Sequence, residues 1–315
     1  MIKYTIKRIL LMLFTLFVIT TICFVLIHSL PIVVNAQVGK DKELAEAIIQ
    51  SRGYRDPIMK QYVTYLGRIF KGDFGVGINM EQGTYVLENF KQRLPATMLI
   101  NIYAMLFSVP IGLGLGIFAA LKKNKWQDQV ISTGVMIFIS VPSYIYAFLV
   151  QYVLCFKGGL PLQMKAGTDY FSWAMFKSVI APVLSLSFGT IAGFARYTRA
   201  ELTEVLTSDF MLLARTKGLT KSQATVRHAL RNAMVPIFPM IIGEFVGIIG
   251  GSLIIEQIFG VPGVGRLYLS SITTKDYDFF MMLSMFYTAI GLVSGILIDL
   301  SYGLIDPRIR MGGKK

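Results

Sequence analysis

Two cysteines and two histidines are all the thiol and imidazole groups in this chain of 315 residues. Cys23 and Cys155 stand far apart, inside or at the edge of apolar runs, and His28 and His228 lie in different segments. That placement argues against a disulfide framework or a zinc site, and both cysteines read as apolar packing residues. Also missing are a G-x-x-x-x-G-K-[ST] phosphate loop, an H-E-x-x-H helix and a G-x-S-x-G elbow. With no nucleophile–base pair in view, the chain is not read as an enzyme. No cofactor is expected in it, and any ATP it depends on is bound by another chain. Charge is scarce as well: 16% of residues are charged and 54% are hydrophobic, with a mean hydropathy of +0.59. A soluble domain of this size needs far more charge, so the class is membrane protein.

What is present is a set of long apolar runs. A spanning helix needs about 20 mostly apolar residues. The first run, Ile9–Ile27, follows Lys3, Lys7 and Arg8. Val34-Asn35-Ala36 loosely resembles a signal-peptide cleavage site, but the run exceeds a signal-peptide core, so a retained helix is favoured. Five more spans are expected near Ala96–Leu121, Val130–Phe156, Val179–Ala195, Val235–Ile258 and Met281–Tyr302. The fold class is therefore an all-α polytopic membrane protein with six transmembrane helices and both ends on one side. With the N-terminus inside, the inner segments carry 17 Lys and Arg residues and the two short outer loops carry 5. The positive-inside rule then puts both termini in the cytoplasm. The net charge of +13 is mainly this topology signal, and no nucleic-acid partner is expected.

The segment from Pro31 to about Pro95 is long enough for a small outer domain. "KDKELAEAIIQSRG" reads as an amphipathic helix with Leu44, Ala47 and Ile48 on one face, stopped by Gly53. "KGDFGVG", residues 71–77, reads as turns.

Glycines recur in two spans: Gly112, Gly114 and Gly116 in the second, and Gly243, Gly247 and Gly251 in the fifth. The i, i+4, i+8 spacing puts the latter three on one helix face. That face serves either close packing or a pathway-lining helix that slides or rotates, and Pro110, Pro236 and Pro239 permit bends. Glu244, near the middle of the fifth span, must face protein or water. It either lines a substrate path or hydrogen-bonds a neighbouring helix. Glu256 and Asp299 sit near span ends, where a charge reaches the interface.

Between the fourth and fifth spans lies the basic stretch "DFMLLARTKGLTKSQATVRHALRN", Asp209–Asn232. Thr220-Lys221-Ser222-Gln223 fits a capping box, Gly218 ends the preceding helix, and Ser208 or Asp209 caps it. The spacing predicts a helix over 209–217, a turn over 217–220 and a helix over 221–232. Helices this short need a packing surface, for which Met211, Leu212, Leu213, Leu219, Val226 and Leu230 are available.

This loop resembles the coupling motif, the EAA loop, of ABC-importer permeases. Ala214 matches the motif's second alanine and Gly218 its glycine, while Leu212 stands for the glutamate, Leu213 for the first alanine and Arg231 for the proline. Those departures agree with the dipeptide/oligopeptide/nickel branch. "ARTKGLT" (214–220), "RHALRNAMVP" (227–236), "GDFG" (72–75), "RLPATM" (93–98), "IEQIFGVPGVGRL" (255–267), "KDY" (275–277) and "DLSYGLIDPRIR" (299–310) are similar to its signatures.

The resemblance implies a type I ABC-importer permease fold. Its parts would be an N-terminal span (1–30), an extracytoplasmic loop domain (31–93), a permease core (94–303) and a cytoplasmic tail (304–315). It implies a second homologous permease subunit, two cytoplasmic ATPase subunits that bind ATP-Mg, and an extracytoplasmic solute-binding protein, in a lipid membrane. Ala214, Arg215, Lys217, Gly218, Leu219 and Thr220 would couple to the ATPases. Gly218 would make the turn, Leu219 seat in an apolar groove, and Arg215 and Lys217 meet acidic groups. Glu244, Gly243 and Gly247 are the substrate-pathway candidates. The cargo expected is oligopeptides or dipeptides, with nickel or glutathione as alternatives. A proton-coupled transporter using Glu244 and a non-transporting membrane scaffold are the readings from other classes.

Overall fold

The computed structural model describes residues 2–305, apart from 33, 35–39, 166 and 168. Asn35 and Ala36 of the cleavage-like site, and the tail from 306 onward, lie outside the described residues. Among those described there is no β-strand, only an isolated antiparallel bridge between Val76 and Tyr85. The helices are α1 (Ile2–His28), α2 (Lys40–Arg52), α3 (Ile58–Ile69), α4 (Val86–Leu121), α5 (Trp126–Ser140), α6 (Ser143–Val150), α7 (Trp173–Leu206), α8 (Asp209–Thr216), α9 (Lys221–Ala224), α10 (Leu230–Gly247), α11 (Leu253–Ile258), α12 (Val264–Thr274) and α13 (Tyr277–Ile305). Five helical stretches are long and apolar enough to cross a membrane, or six if a bent pair counts as one span.

That bent pair corrects the third expected span. α5 and α6, the latter prolonged by a π-helical stretch Gln151–Lys157, meet at 104°. Pro142 is the cause. It supplies no amide to the helix and forces the residue before it out of the helical region, and Val141 is accordingly extended (φ −86°, ψ 128°).

The fifth span is also displaced. Instead of Val235–Ile258, helix runs from Lys221 to Gly247 without a break, through a π-helical turn at Thr225–Ala229. It stops before Gly251, whose φ of +66° no helix accommodates. Ser252 then caps α11 by accepting from the Ile255 amide. Gly251 therefore does not share a helix face with Gly243 and Gly247. The second span begins at Val86 rather than Ala96, and the fourth occupies Trp173–Leu206.

The chain forms two compact units, one of Leu99–Ile248 with the chain from Ser294, the other of Ile2–Met98 with Ile249–Val293. In the first, α4 and α7 touch through glycine. A methyl group at Gly112 would lie 2.9 Å from the Ile191 carbonyl oxygen, and one at Gly116 would lie 2.7 Å from that of Ala195. Those two glycines pack, whereas Gly114 faces open space. Asp128 of α5 is buried and accepts from Arg199 of α7 (Nη2–Oδ2 2.8 Å) and from the Asn124 amide (2.9 Å), which ties the α4–α5 turn to α7.

In the second unit, Phe24 and Ile27 of α1 share a core with Ala45, Ile48 and Ile49 of α2, Tyr65 of α3, and Tyr277 and Met281 of α13. The buried face of α2 is thus Ala45, Ile48 and Ile49, while Leu44 and Ala47 are exposed. The apolar stripe is offset by one residue from the expected one, because both Ile48 and Ile49 must be covered. Gly53 ends α2 with φ +68°, as expected of a helix stop.

Candidate functional site

α8 and α9 form the elbow expected between the fourth and fifth spans. Thr216 is the last residue of α8, and the chain leaves it through a Schellman turn. The Gly218 amide donates to the Arg215 carbonyl (3.0 Å) and the Leu219 amide to that of Ala214 (3.3 Å). This geometry needs a positive φ, and Gly218 supplies +91°. A methyl group at Gly218 would meet nothing within 4 Å, so the demand is conformational and not one of space. Thr220 opens the next helix with a reciprocal capping box. The Gln223 amide donates to Thr220 Oγ1 (3.3 Å), and the Thr220 amide donates to Gln223 Oε1 (3.1 Å). Ser208 occupies the cap position of α8, but its hydroxyl donates to the Val205 carbonyl (2.6 Å) and does not cap.

The second arm of the elbow is not a separate short helix ending near 232. It is the first part of the helix that continues to Gly247. Any tilt imposed at Gly218 is therefore delivered to α10 without an intervening hinge loop. The elbow also rests on the ends of two other spans. Met211, Ala214, Ala224 and Ala229 are buried together with Ala120 of α4 and Leu202 of α7.

The candidate coupling residues differ in exposure. Ala214 is buried, and Leu219 is half-buried against that same cluster. The Schellman turn brings the Leu219 side chain back toward its own chain, where part of it is covered and part remains open. Leu212, Leu213 and Val226, expected to help pack the elbow, are 65%, 55% and 61% exposed. Arg215, Lys217, Gly218 and Thr220 are exposed at the turn. The leucines standing where the generic motif has Glu and Ala are thus exposed apolar side chains. Sequence periodicity missed this, since it assigns every leucine on so short a helix to one core.

Glu244 is half-buried in α10 and has no hydrogen-bond partner among the described residues. A methyl group at Gly243 would lie 3.3 Å from Ile298 Cδ1 of α13, whereas Gly247 meets nothing within 4 Å. Gly243 packs and Gly247 is open. The 500 Å³ cavity lined by Tyr103, Phe107, Phe176 and Leu184 is apolar and includes none of the three.

Two carboxylate sites escaped the sequence. The first is Glu256, expected to reach an interface but in fact fully buried. Thr97 Oγ1 donates to its Oε1 (2.9 Å) and the Arg266 amide to its Oε2 (3.1 Å). Thr97 Oγ1 in turn accepts from the Val264 amide (2.8 Å). Gly251, Gly263 and Gly265 make room, since a methyl group on any of them would lie within 2.9 Å of a Glu256 oxygen. The glycine spacing within "GVPGVG" was the available signal. Burial pushes the Glu256 carboxyl up to about 7, against the hydrogen bonds it accepts.

A raised acid binds its proton more tightly in the folded state, so stability is greatest below the unfolded value and falls as pH rises. The unfolding temperature of the protein in detergent is expected to decline from about pH 4.5 to about pH 7. In Glu256→Gln that decline should flatten, and an unchanged slope would remove Glu256 as its source.

The second site is Asp276, also fully buried. Its Oδ2 accepts from the amides of Ile78 (2.8 Å), Asn79 (2.8 Å) and Met80 (3.0 Å). Burial raises its carboxyl and the amides pull it back down. Nearby, Asp278 accepts from the Val76 amide (3.0 Å). Gly75, with φ +95°, has no room for a side chain, because a methyl group would overlap the Asp278 carboxylate. Residues 75–80, from the end of "GDFG" onward, and the aspartates Asp276 and Asp278, in and just after "KDY", thus form one clamp.

A family model described as "Binding-protein-dependent transport system inner membrane component" matches residues 112–311, and its N-terminal companion matches residues 1–101. The dipeptide transport system permease protein DppB of Bacillus subtilis is 34% identical over 315 residues, covering 100% of both chains. DppB of Lactococcus lactis subsp. cremoris is 32% identical over 99% of this chain and 100% of that protein. The glutathione transport system permease protein GsiC of Escherichia coli is 32% identical over 98% of this chain and 99% of that protein. In fold, the chain is similar to an amino acid ABC transporter crystallised with histidines (TM-score 0.50, 21% identity, 68% of this chain and 92% of that one). It is also similar to the inward-facing MetNI methionine ABC transporter (TM-score 0.51, 16% identity, 68% and 97%).

Proposed function

Because the chain belongs to the family of binding-protein-dependent transport system inner membrane components, the permeases of ABC importers, we propose that it carries dipeptides or other short peptides inward. It forms half of a translocation pathway, and a second homologous permease forms the other half. Two cytoplasmic ATPase subunits bind ATP-Mg, and an extracytoplasmic binding protein delivers the cargo. Both termini face the cytoplasm, and Glu244, Gly243 and Gly247 contribute to the pathway within the core of residues 94–303. The full-length similarity to DppB dipeptide permeases supports the cargo. The similarity to GsiC supports glutathione as the alternative.

The observation that carries the mechanism is the unbroken helix from Lys221 to Gly247 behind the Gly218 turn. When the ATPase dimer closes on ATP, it moves the elbow through Leu212, Leu213, Arg215 and Lys217. That motion reaches α10 as a rigid-body tilt, a hinge-type transition that changes which side the pathway opens to.

The test is uptake of a labelled dipeptide into vesicles holding the chain with its partner subunits. Uptake should require internal ATP and the binding protein, and should persist when the proton gradient is collapsed. Uptake that survives ATP depletion and stops with the gradient would instead make Glu244 a proton site. Competition by glutathione decides between the two cargoes.

A further inference from the structure

The cavity beside the elbow has the chemistry of an anion site. It holds about 570 Å³ and is bordered by Lys123, Lys125, Arg215 and Lys221, with a single carboxylate, Asp209; the Thr207 and Ser208 hydroxyls at its edge already donate to backbone carbonyls. None of the four cations has an ion-pair partner among the described residues. All four are exposed, and like charges around one cavity give it a positive field that an anion can neutralise. The amino end of α8 opens on the same cavity and carries no side-chain cap. Its free amides and dipole add to the positive field.

The place of the cavity narrows the ligand. Leu121 and Leu206, the last residues of α4 and α7, form part of its wall, together with Leu212. Cations and apolar side chains therefore alternate where two spans leave the hydrocarbon. A soluble anion would use only the charges, whereas an amphiphile uses both. Basic pockets at the cytoplasmic ends of spanning helices suit anionic headgroups, which are concentrated in that leaflet.

We propose that this cavity binds the phosphate headgroup of an anionic phospholipid, with acyl chains against Leu121 and Leu206. The lipid bridges the ends of α4 and α7 to α8 and so sets how firmly the coupling elbow is seated. The inference rests on the reading that the elbow faces the cytoplasm.

The test uses the full-length chain with its partner permease, before and after the ATPase subunits are added. Native mass spectrometry follows retention of added phosphatidylglycerol or phosphatidylcholine, in parallel with inorganic phosphate alone. Phosphatidylglycerol should be the lipid retained. Lys123→Gln with Lys125→Gln should weaken its retention at least about tenfold, since each lysine near an anionic surface contributes roughly fivefold. Lys123→Arg with Lys125→Arg should restore it. Lys157→Gln with Lys177→Gln, an equal loss of charge elsewhere, should leave it unchanged. Equal retention of the two lipids, or equal loss in the control, overturns the proposal. Full displacement by inorganic phosphate assigns the cavity to a free anion, and loss of lipid on ATPase assembly assigns the cations to that partner; either also overturns it. Lipid retention is read without ATP, cargo or binding protein, so failure of the lipid site and failure of the coupling reading are distinguishable.

Discussion

Replacing Gly218 by aspartate is expected to leave the protein inserted and assembled but to reduce uptake to background. The open space around Gly218 means that the new side chain displaces no neighbour. The backbone is the obstacle. At φ +91° a residue with a Cβ is strained by about 1–3 kcal/mol. The strain is relieved by opening the turn, which breaks the bonds from the Gly218 and Leu219 amides to α8. Once those are lost, α8 and the helix from Lys221 to Gly247 no longer move as one piece. Energy enough to loosen a turn is small against the stability of the packed spans in its own unit, so the defect should be in coupling. ATP hydrolysis by the assembled complex should persist while labelled dipeptide uptake is lost. Normal uptake in a correctly assembled variant would sink the coupling role of the turn.

Replacing Asp276 by alanine should have the largest effect on stability. Its Oδ2 is the acceptor for three amides, those of Ile78, Asn79 and Met80. Each buried amide left without an acceptor costs about 1–3 kcal/mol. Ile78 is buried while Asn79 and Met80 are partly exposed to water, so loss of the carboxylate should destabilise residues 78–80 by about 1–3 kcal/mol. The same segment holds Ile78 in the core shared by α1, α2 and α3. Asp276→Ala should thus lower the unfolding temperature in detergent and expose the chain around 76–80 to proteases. Asp276→Asn should recover much of the loss, because an amide carbonyl oxygen can take the place of Oδ2. An alanine variant as stable and protease-resistant as the parent would show that the clamp carries no weight.

The two variants probe different kinds of information. The Gly218 turn is built from contacts between residues three to five apart: a Schellman exit, a capping box and a positive φ. Local contacts of that kind leave local spacings, and these could be read before any coordinates. The spans were legible for a similar reason, since hydrocarbon demands about 20 apolar residues wherever a helix crosses it. Their edges were less legible. The bend at Val141–Pro142 depended on a proline whose effect a hydropathy run does not register.

The sequence by itself thus determined the class, the approximate places of the apolar spans and the shape of the elbow, because each follows from interactions along a few consecutive residues. Tertiary structure alone decided which side of the elbow looks outward. Leu212 and Leu219 have the same hydropathy, and only the packing of α8 on Ala120 and Leu202 turns one to solvent and the other inward. It alone also joined Glu256 to Thr97 and Asp276 to residues 78–80, pairs 159 and up to 198 positions apart. A carboxylate's worth is set by the amides and hydroxyls that surround it once it is buried, and no spacing within the chain records neighbours that distant.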